Sequence, residues 1–171
     1  MLASKTSPQY INYSYDQMRQ GLLDIIRSMN LDQWAPDAVL GLTRGGLIPA
    51  VMMSHYYDVQ MIPVNLSLRD FKSDFSTVIN ELDQSINLDS KKFKNILVVD
   101  DILDSGETVK QLSNIFAMLE KFSHFNIKYA TLFFNTTNEA GFVPDYFAEK
   151  IAKGGHSNPW IVFPFEDWWK S

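Results

Sequence analysis

The chain has 171 residues, 46% of them hydrophobic, a formal net charge of −5 and no cysteine. That length and apolar share suit one domain with a sizeable core, and without cysteine there is no disulfide framework, thiol nucleophile or thiolate metal site. The acidic balance argues against nucleic acid as a partner, which needs a basic face, and no segment approaches the roughly 20 apolar residues of a membrane span.

Residues 1–13 read as an extended arm without an apolar run of signal-peptide length, so a cytoplasmic protein with no membrane partner is the expectation. Ser14-Tyr15-Asp16-Gln17 has the form of a capping box. Met18, Leu22, Ile25, Ile26 and Met29 then make one apolar helical face, with Asn30 as a stop. The pattern predicts a buried strand from Asp37 to Leu42, a turn at Thr43-Arg44-Gly45-Gly46 and a helix from Leu47 to Tyr57. Met61 to Leu66 reads as a strand, in which Pro63 marks an edge or irregular position. Residues 67–92 are polar and weakly periodic apart from a short helix near 76–86. A stretch this long between strands is either functional or misassigned. Ile96 to Val99 is the next buried strand, followed by a helix at about 107–121. Lys128 to Phe134, Tyr146 to Ile151 and Trp160 to Phe163 are further strands before an acidic, aromatic tail, Glu166-Asp167-Trp168-Trp169. Alternating helix and strand over the first 135 residues predicts an α/β fold, a parallel twisted sheet with helices on both faces. The segment after 135 is expected to form a small C-terminal hood over the sheet edge.

The densest chemistry lies in residues 96–108. The apolar strand runs into Asp100 and Asp101, then Asp104, then the turn Ser105-Gly106-Glu107-Thr108. Val109, Leu112, Ile115, Phe116 and Leu119 follow at helical spacing. In an open parallel sheet, ligands bind where strands hand over to helices. Free amides of such a turn and helix N-terminus suit a phosphate. Two carboxylates can accept from the vicinal hydroxyls of a ribose. Adjacent aspartates after a strand are ordinarily a solvated loop, and Ser-Gly is a common turn pair. It is the ordered series of strand, acids, turn and helix that favours binding of a ribose 5-phosphate.

Thr43-Arg44-Gly45-Gly46 repeats the layout of strand, small turn and helix. Its glycines permit a close approach of backbone to an anion, and Arg44 adds a guanidinium fork suited to phosphate oxygens. An ordinary strand-to-helix turn is the alternative; the second phosphate-type turn in the same sheet favours binding. His55, His124 and His156 show no metal-ligand spacing and read as structural or surface.

Residues 96–108 resemble the phosphoribosyl pyrophosphate motif of type I phosphoribosyltransferases. Thr43 to Gly46 resemble the pyrophosphate loop of the bacterial xanthine-guanine and hypoxanthine (6-oxopurine) members, in which the peptide bond at the place of Thr43–Arg44 is cis. Tyr10-Ile11, Gln33-Trp34, the strand Tyr129 to Phe133 and the segment Trp160-Ile161 with Pro164 and Glu166 are similar as well. The resemblance implies a single domain over 1–171, with a core at about 14–135, a lid loop at about 67–92 and a hood at about 136–171 joined by the N-terminal arm. It implies transfer of ribose 5-phosphate from phosphoribosyl pyrophosphate to a purine base (guanine, xanthine or hypoxanthine), with Mg²⁺, in purine salvage, by a homodimer or homotetramer. On the family pattern Asp100 and Asp101 hold the ribose hydroxyls and Asp104 is the general base. Ser105, Gly106, Glu107 and Thr108 hold the 5-phosphate, and Thr43, Arg44, Gly45 and Gly46 hold the pyrophosphate. Trp160 stacks on the base and Ile161 reads its edge. Asp100, Asp101 and Glu166 face the metal, and the lid brings Ser67, Arg69 and Lys72. Trp160 on residue type alone could equally be a packing tryptophan, and 67–92 a surface loop.

Two positions depart from the family. A lysine that donates to the 6-oxo group is replaced by Asn135, whose amide can donate to an oxo group or accept from an amino group. The Ser-Tyr of the lid is Ser67-Leu68 here, leaving Phe71 or Phe75 to supply a ring. A phosphoribosyltransferase for another base, and a non-catalytic regulator that binds phosphoribosyl pyrophosphate, therefore stay open beside the 6-oxopurine reading.

Overall fold

The computed structural model describes residues 9–66, 92–154 and 159–169. The lid residues Ser67, Arg69 and Lys72, the helix expected near 76–86, and His156 lie outside the described residues. Five strands form one sheet: β2 (Ala38–Leu42), β3 (Gln60–Val64), β4 (Asn95–Leu103), β5 (Asn126–Asn135) and β6 (Tyr146–Ile151). Their order is β3-β2-β4-β5-β6, and every pairing is parallel. Pro63 falls on β3, an edge strand of this sheet, where a missing backbone donor is tolerated.

Among the described residues three helices cover both faces, as the alternation of apolar residues requires. In α1 (Tyr15–Leu31) the Ser14 side chain accepts from Gln17 N, and the Gln17 side chain accepts from Ser14 N, closing the capping box. Its buried stripe of Met18, Leu22, Ile25, Ile26 and Met29 packs with Ala50 and Met53 of α2 (Leu47–Tyr57) against Val39, Leu97, Val99, Ala130 and Leu132. On the opposite face, α3 (Glu107–Met118) sets Val109, Leu112, Ile115 and Phe116 against Leu40, Leu42, Ile96 and Val98. Neighbouring residues on β2 and β4 thus feed different layers, which is the period-2 pattern of a sheet buried on both sides.

Three elements differ from expectation. β6 falls in the segment expected to form the hood, yet it pairs in parallel with β5 and completes the main sheet. β4 does not stop at Val99 but runs on through the acids to Leu103. The long β5 offers it partners, pairing Asp100 with Thr131, Ile102 with Phe133 and Leu103 with Phe134. Tertiary pairing thus overrides the low strand preference of aspartate. The helix after the turn ends at Met118, since Leu119 is extended, and a short 3₁₀ turn at Glu120–Phe122 follows. That break lets Phe122 tuck beside Phe116, with ring centroids 4.6 Å apart.

A second, two-stranded sheet joins β1 (Tyr10–Asn12) to β7 (Trp160–Val162) in parallel, with Tyr10 opposite Trp160. Tyr13 anchors it to the main body, meeting Phe133 at 4.8 Å and Phe163 at 5.9 Å, both edge to face. Among the described residues, no helix is long and apolar enough to cross a membrane.

Candidate functional site

β2 and β4 are neighbours, yet the chain leaves β2 for β3 on one side and returns to β4 on the other. Their C-terminal ends therefore flank a topological switch point, the place where open parallel sheets bind ligands. The loop after β2 is 43–46 and the loop after β4 is 104–106, so both candidate phosphate turns open on this edge.

The 43–46 loop packs on the end of β4. A Cβ at Gly45 would lie 1.9 Å from Asp101 Oδ2, and one at Gly46 would lie 2.4 Å from the Val99 carbonyl oxygen. Only glycine lets the backbone of this loop rest on the acid pair of β4. The Thr43–Arg44 peptide bond is cis, as the family resemblance implies. Thr43 Oγ1 donates to Asn65 Oδ1 at 3.0 Å, and its backbone N–H donates to the Val64 carbonyl, tying the loop to the end of β3. Arg44 is exposed.

Asp100 and Asp101 are half-buried rather than solvated. Asp100 Oδ1 accepts from Asp101 N at 2.9 Å, and Asp101 Oδ1 accepts from Ile102 N at 2.7 Å. Burial, and then the charge of Asp101, hold the Asp100 carboxyl well above the usual carboxylate range. The Asp101 carboxyl is pushed up to about 6, chiefly by burial. Hydrogen bonds from Asp100 and the Ile102 amide oppose that shift, and the charge of Glu166 adds to it. This is a concentrated negative site that gains from hydroxyl donors or a cation. Among the described residues no three acidic or imidazole side chains group as metal ligands, and Glu166 accepts from Phe163 N at 2.9 Å.

The turn that follows is built to leave amides free. Gly106 caps α3 with φ +79, a backbone form that other residues rarely adopt, and no side chain caps the helix. Ser105 Oγ accepts only a long bond, 3.4 Å, from Glu107 N. The first turn of α3, with Thr108, thus starts at this loop, where helix amides and the positive end of a helix suit an anion. Ala140 N donates to the Ser105 carbonyl, so the 136–145 loop braces the turn from outside.

Asp104 is the exposed acid of the series and lines a cleft of about 450 Å³ with Ser105, Asn135, Thr137, Asn138 and Lys153. Asn135 lines the same cleft from the end of β5. It is 5% exposed, and its Nδ2 donates to the carbonyl and to Oδ1 of Asp104, at 3.1 and 3.2 Å. Its oxygen accepts from Thr137 and from Lys153 N. Lys153 in turn donates from Nζ to Asp104 Oδ2 at 2.8 Å. Sequence reasoning missed Lys153, because it carries no motif and meets Asp104 only through the placement of β6 beside β5.

The aromatic candidates line a different cleft. Trp160, half-exposed at 50%, borders a space of about 690 Å³ with Tyr10, Asn12, Val162, Glu166 and Trp168. Ile161 alternates inward and is buried. The structure thus brings Asp101 to Gly45, Asp104 to Asn135, and Trp160 to Glu166. It leaves Trp160 and Asn135 lining separate clefts.

Comparison with known proteins agrees with this geometry. A family model described as phosphoribosyl transferase domain matches residues 14–167. Xanthine-guanine phosphoribosyltransferase of Cereibacter sphaeroides is 27% identical over 161 residues, spanning 90% of this chain and 84% of that protein. Among solved structures, a purine phosphoribosyltransferase from Pyrococcus horikoshii superposes with a TM-score of 0.64 at 25% identity, covering 92% of this chain and 95% of its own. The xanthine-guanine-hypoxanthine phosphoribosyltransferase of Helicobacter pylori shares the fold, with a TM-score of 0.67 at 22% identity over 95% and 97% of the two chains.

Proposed function

The chain belongs to the phosphoribosyl transferase domain family, and from that premise we propose that it transfers ribose 5-phosphate from phosphoribosyl pyrophosphate to a 6-oxopurine base. The observation that carries this reading is the contact between Gly45 and Asp101, which joins a pyrophosphate-type loop to a ribose-type acid pair at the switch point. The relative from Cereibacter sphaeroides, named for xanthine and guanine, supports the choice of base.

In the proposed reaction the bond from the ribose anomeric carbon to pyrophosphate oxygen breaks, and pyrophosphate leaves with the electron pair. The bond to the base nitrogen forms, and that nitrogen loses its proton. Asp104, the accessible acid, takes the proton; such general bases contribute roughly 10²–10⁴-fold in rate. Asp100 and Asp101 accept from the ribose hydroxyls and place negative charge beside the carbon that becomes cationic. The Ser105-Gly106-Glu107-Thr108 turn holds the 5-phosphate on amides and hydroxyls, with the Glu107 carboxylate directed away from it. Thr43, Arg44, Gly45 and Gly46 hold the pyrophosphate. Trp160 supplies a stacking face for the base and Ile161 a backbone contact to its edge.

The acid pair fits a magnesium ion in charge. Lacking a third carboxylate in the same cluster, such an ion would draw its other ligands from substrate phosphates and water, as magnesium commonly does. When bound it would neutralise the leaving pyrophosphate. The reading extends to one domain, with a core at about 14–135 to which β6 adds a strand and a hood made from the rest of 136–171 together with β1, in an enzyme of purine salvage. Homodimer or homotetramer assembly is part of the same proposal.

Pyrophosphate release is the test, with phosphoribosyl pyrophosphate, magnesium and a panel of guanine, hypoxanthine, xanthine, adenine, uracil and orotate. The expected result is turnover of the oxopurines that collapses in Asp104→Asn. Preference for adenine or a pyrimidine would discard the base, and no turnover with any base would discard the transferase.

A further inference from the structure

The site holds a cation that the reading above does not use. Lys153 lies just beyond β6, far in sequence from the acid series, and its side chain is only 13% exposed. A lysine so enclosed loses much of its rotamer freedom, so a specific partner must compensate. That partner is Asp104 Oδ2, at 2.8 Å from Nζ. The other carboxylate oxygen, Oδ1, accepts from Asn135 Nδ2 at 3.2 Å. Asp104 is thus gripped at both oxygens, and at its carbonyl by the same Asn135 amide.

The grip is itself fixed from behind. Asn135 Oδ1 accepts from the backbone N–H of Lys153 at 3.2 Å and from Thr137 Oγ1 at 2.8 Å. Thr137 Oγ1 also lies 2.6 Å from the Lys153 carbonyl oxygen. One buried carboxamide at the end of β5 therefore orients the acid with its nitrogen and the backbone of the lysine with its oxygen. Fully partnered polar networks of this kind hold side chains in one arrangement. A charge-assisted bond is also stronger than a neutral one. Without Lys153, Asp104 would keep one anchored oxygen and gain a rotor, since its side chain is otherwise 52% exposed.

We propose that Lys153 is a positioning residue, which together with Asn135 clamps the Asp104 carboxylate in the orientation that receives the proton of the base. The proposal rests on the reading of Asp104 as that proton acceptor. It gives Asn135 the role of hub for the clamp in place of direct contact with the base. It also makes the segment just beyond β6, rather than the end of β5, the source of the lysine beside Asp104.

Steady-state kinetics of Lys153→Met, Lys153→Arg, Asp104→Asn and the Met/Asn double variant decide the matter, with guanine and magnesium-loaded donor and a thermal melt of each protein. Misplacing a catalytic group by about an ångström costs on the order of 10²-fold. Lys153→Met should therefore lower kcat roughly 10- to 100-fold while KM for both substrates stays unchanged. Lys153→Arg should recover part of that loss. In the Asp104→Asn background, Lys153→Met should cost nothing further, because a clamp with nothing to hold has no effect. Unchanged kcat, a raised base KM at intact kcat, or a full additional loss in the Asp104→Asn background would each overturn the clamp while leaving the transferase standing. Should Lys153→Met melt early, Lys153→Gln gives the same decision. Wild-type protein that turns over no base removes the transferase reading, and the positioning role with it.

Discussion

A single methyl group at position 45 would strike Asp101: the added Cβ would sit 1.9 Å from Oδ2 and 2.2 Å from Cγ. Asp101 cannot swing freely aside, since its other oxygen accepts from the Ile102 amide. Gly45→Ala should therefore push the acid off its place and widen the gap between the two loops. Because the clash is between a loop glycine and a half-buried side chain near the end of β4, the fold should persist while binding of the proposed donor suffers. The expected outcome is at least a tenfold weaker affinity for magnesium-loaded phosphoribosyl pyrophosphate, roughly 1.4 kcal/mol or more, with a melting temperature near that of the wild type. Calorimetric titration of the donor checks it. Gly45 could be singled out in the sequence as a loop glycine, but its partner could not. Asp101 becomes that partner only when β2 and β4 lie side by side.

Among the elements, α1 shows how local chemistry is read directly. Ser14 and Gln17 exchange bonds three residues apart, and the apolar stripe behind them repeats at helical spacing. Ser14→Ala should remove one capping bond and cost about 1 kcal/mol. For a chain of this size that is a fall of roughly 2–4 °C in melting temperature, read by circular dichroism. The strands divide differently. Ala38–Leu42 is apolar throughout and needs no context to be recognised. The run of β4 through Asp100 and Asp101 is invisible in a sequence, because aspartate disfavours strands and the ladder from β5 decides the matter. The 3₁₀ turn at Glu120–Phe122 is similar: its reason is the pocket that Phe116 leaves for Phe122, a tertiary fact.

At the level of the whole molecule, the acid pair makes stability depend on pH. The Asp101 carboxyl titrates near 3.8 when unperturbed and at about 6 in the fold. Between those values the folded chain holds a proton that the unfolded chain has released. The contribution of this group to stability therefore falls as pH rises from about 4 to about 6, and stays at its lower level above that. Asp101→Asn removes the titration, so the ligand-free variant should melt higher than wild type at pH 8, with the difference shrinking toward pH 4. Thermal melts across that range check it. The loop at 43–46 and the acid series at 100–108 were legible as motifs because each is contiguous in sequence. The clamp on Asp104 was not, since it is assembled from residues on three strand ends and its lysine has no signature at all.

The pairing of β1 with β7 carries a consequence for the order in which the molecule is made. The glycine loop and the acid pair belong to β2 and β4, whose neighbour β5 is complete at Asn135. Tyr10 and Trp160, by contrast, come from the first and last strands described, and each is the register partner of the other. On a ribosome, where earlier segments fold before later ones emerge, the donor loops can come together while Tyr10 still waits for its partner. The aromatic cleft is the last feature to close. A chain caught before that moment would carry the loops proposed to hold the sugar phosphate and lack the cleft that Tyr10 and Trp160 line.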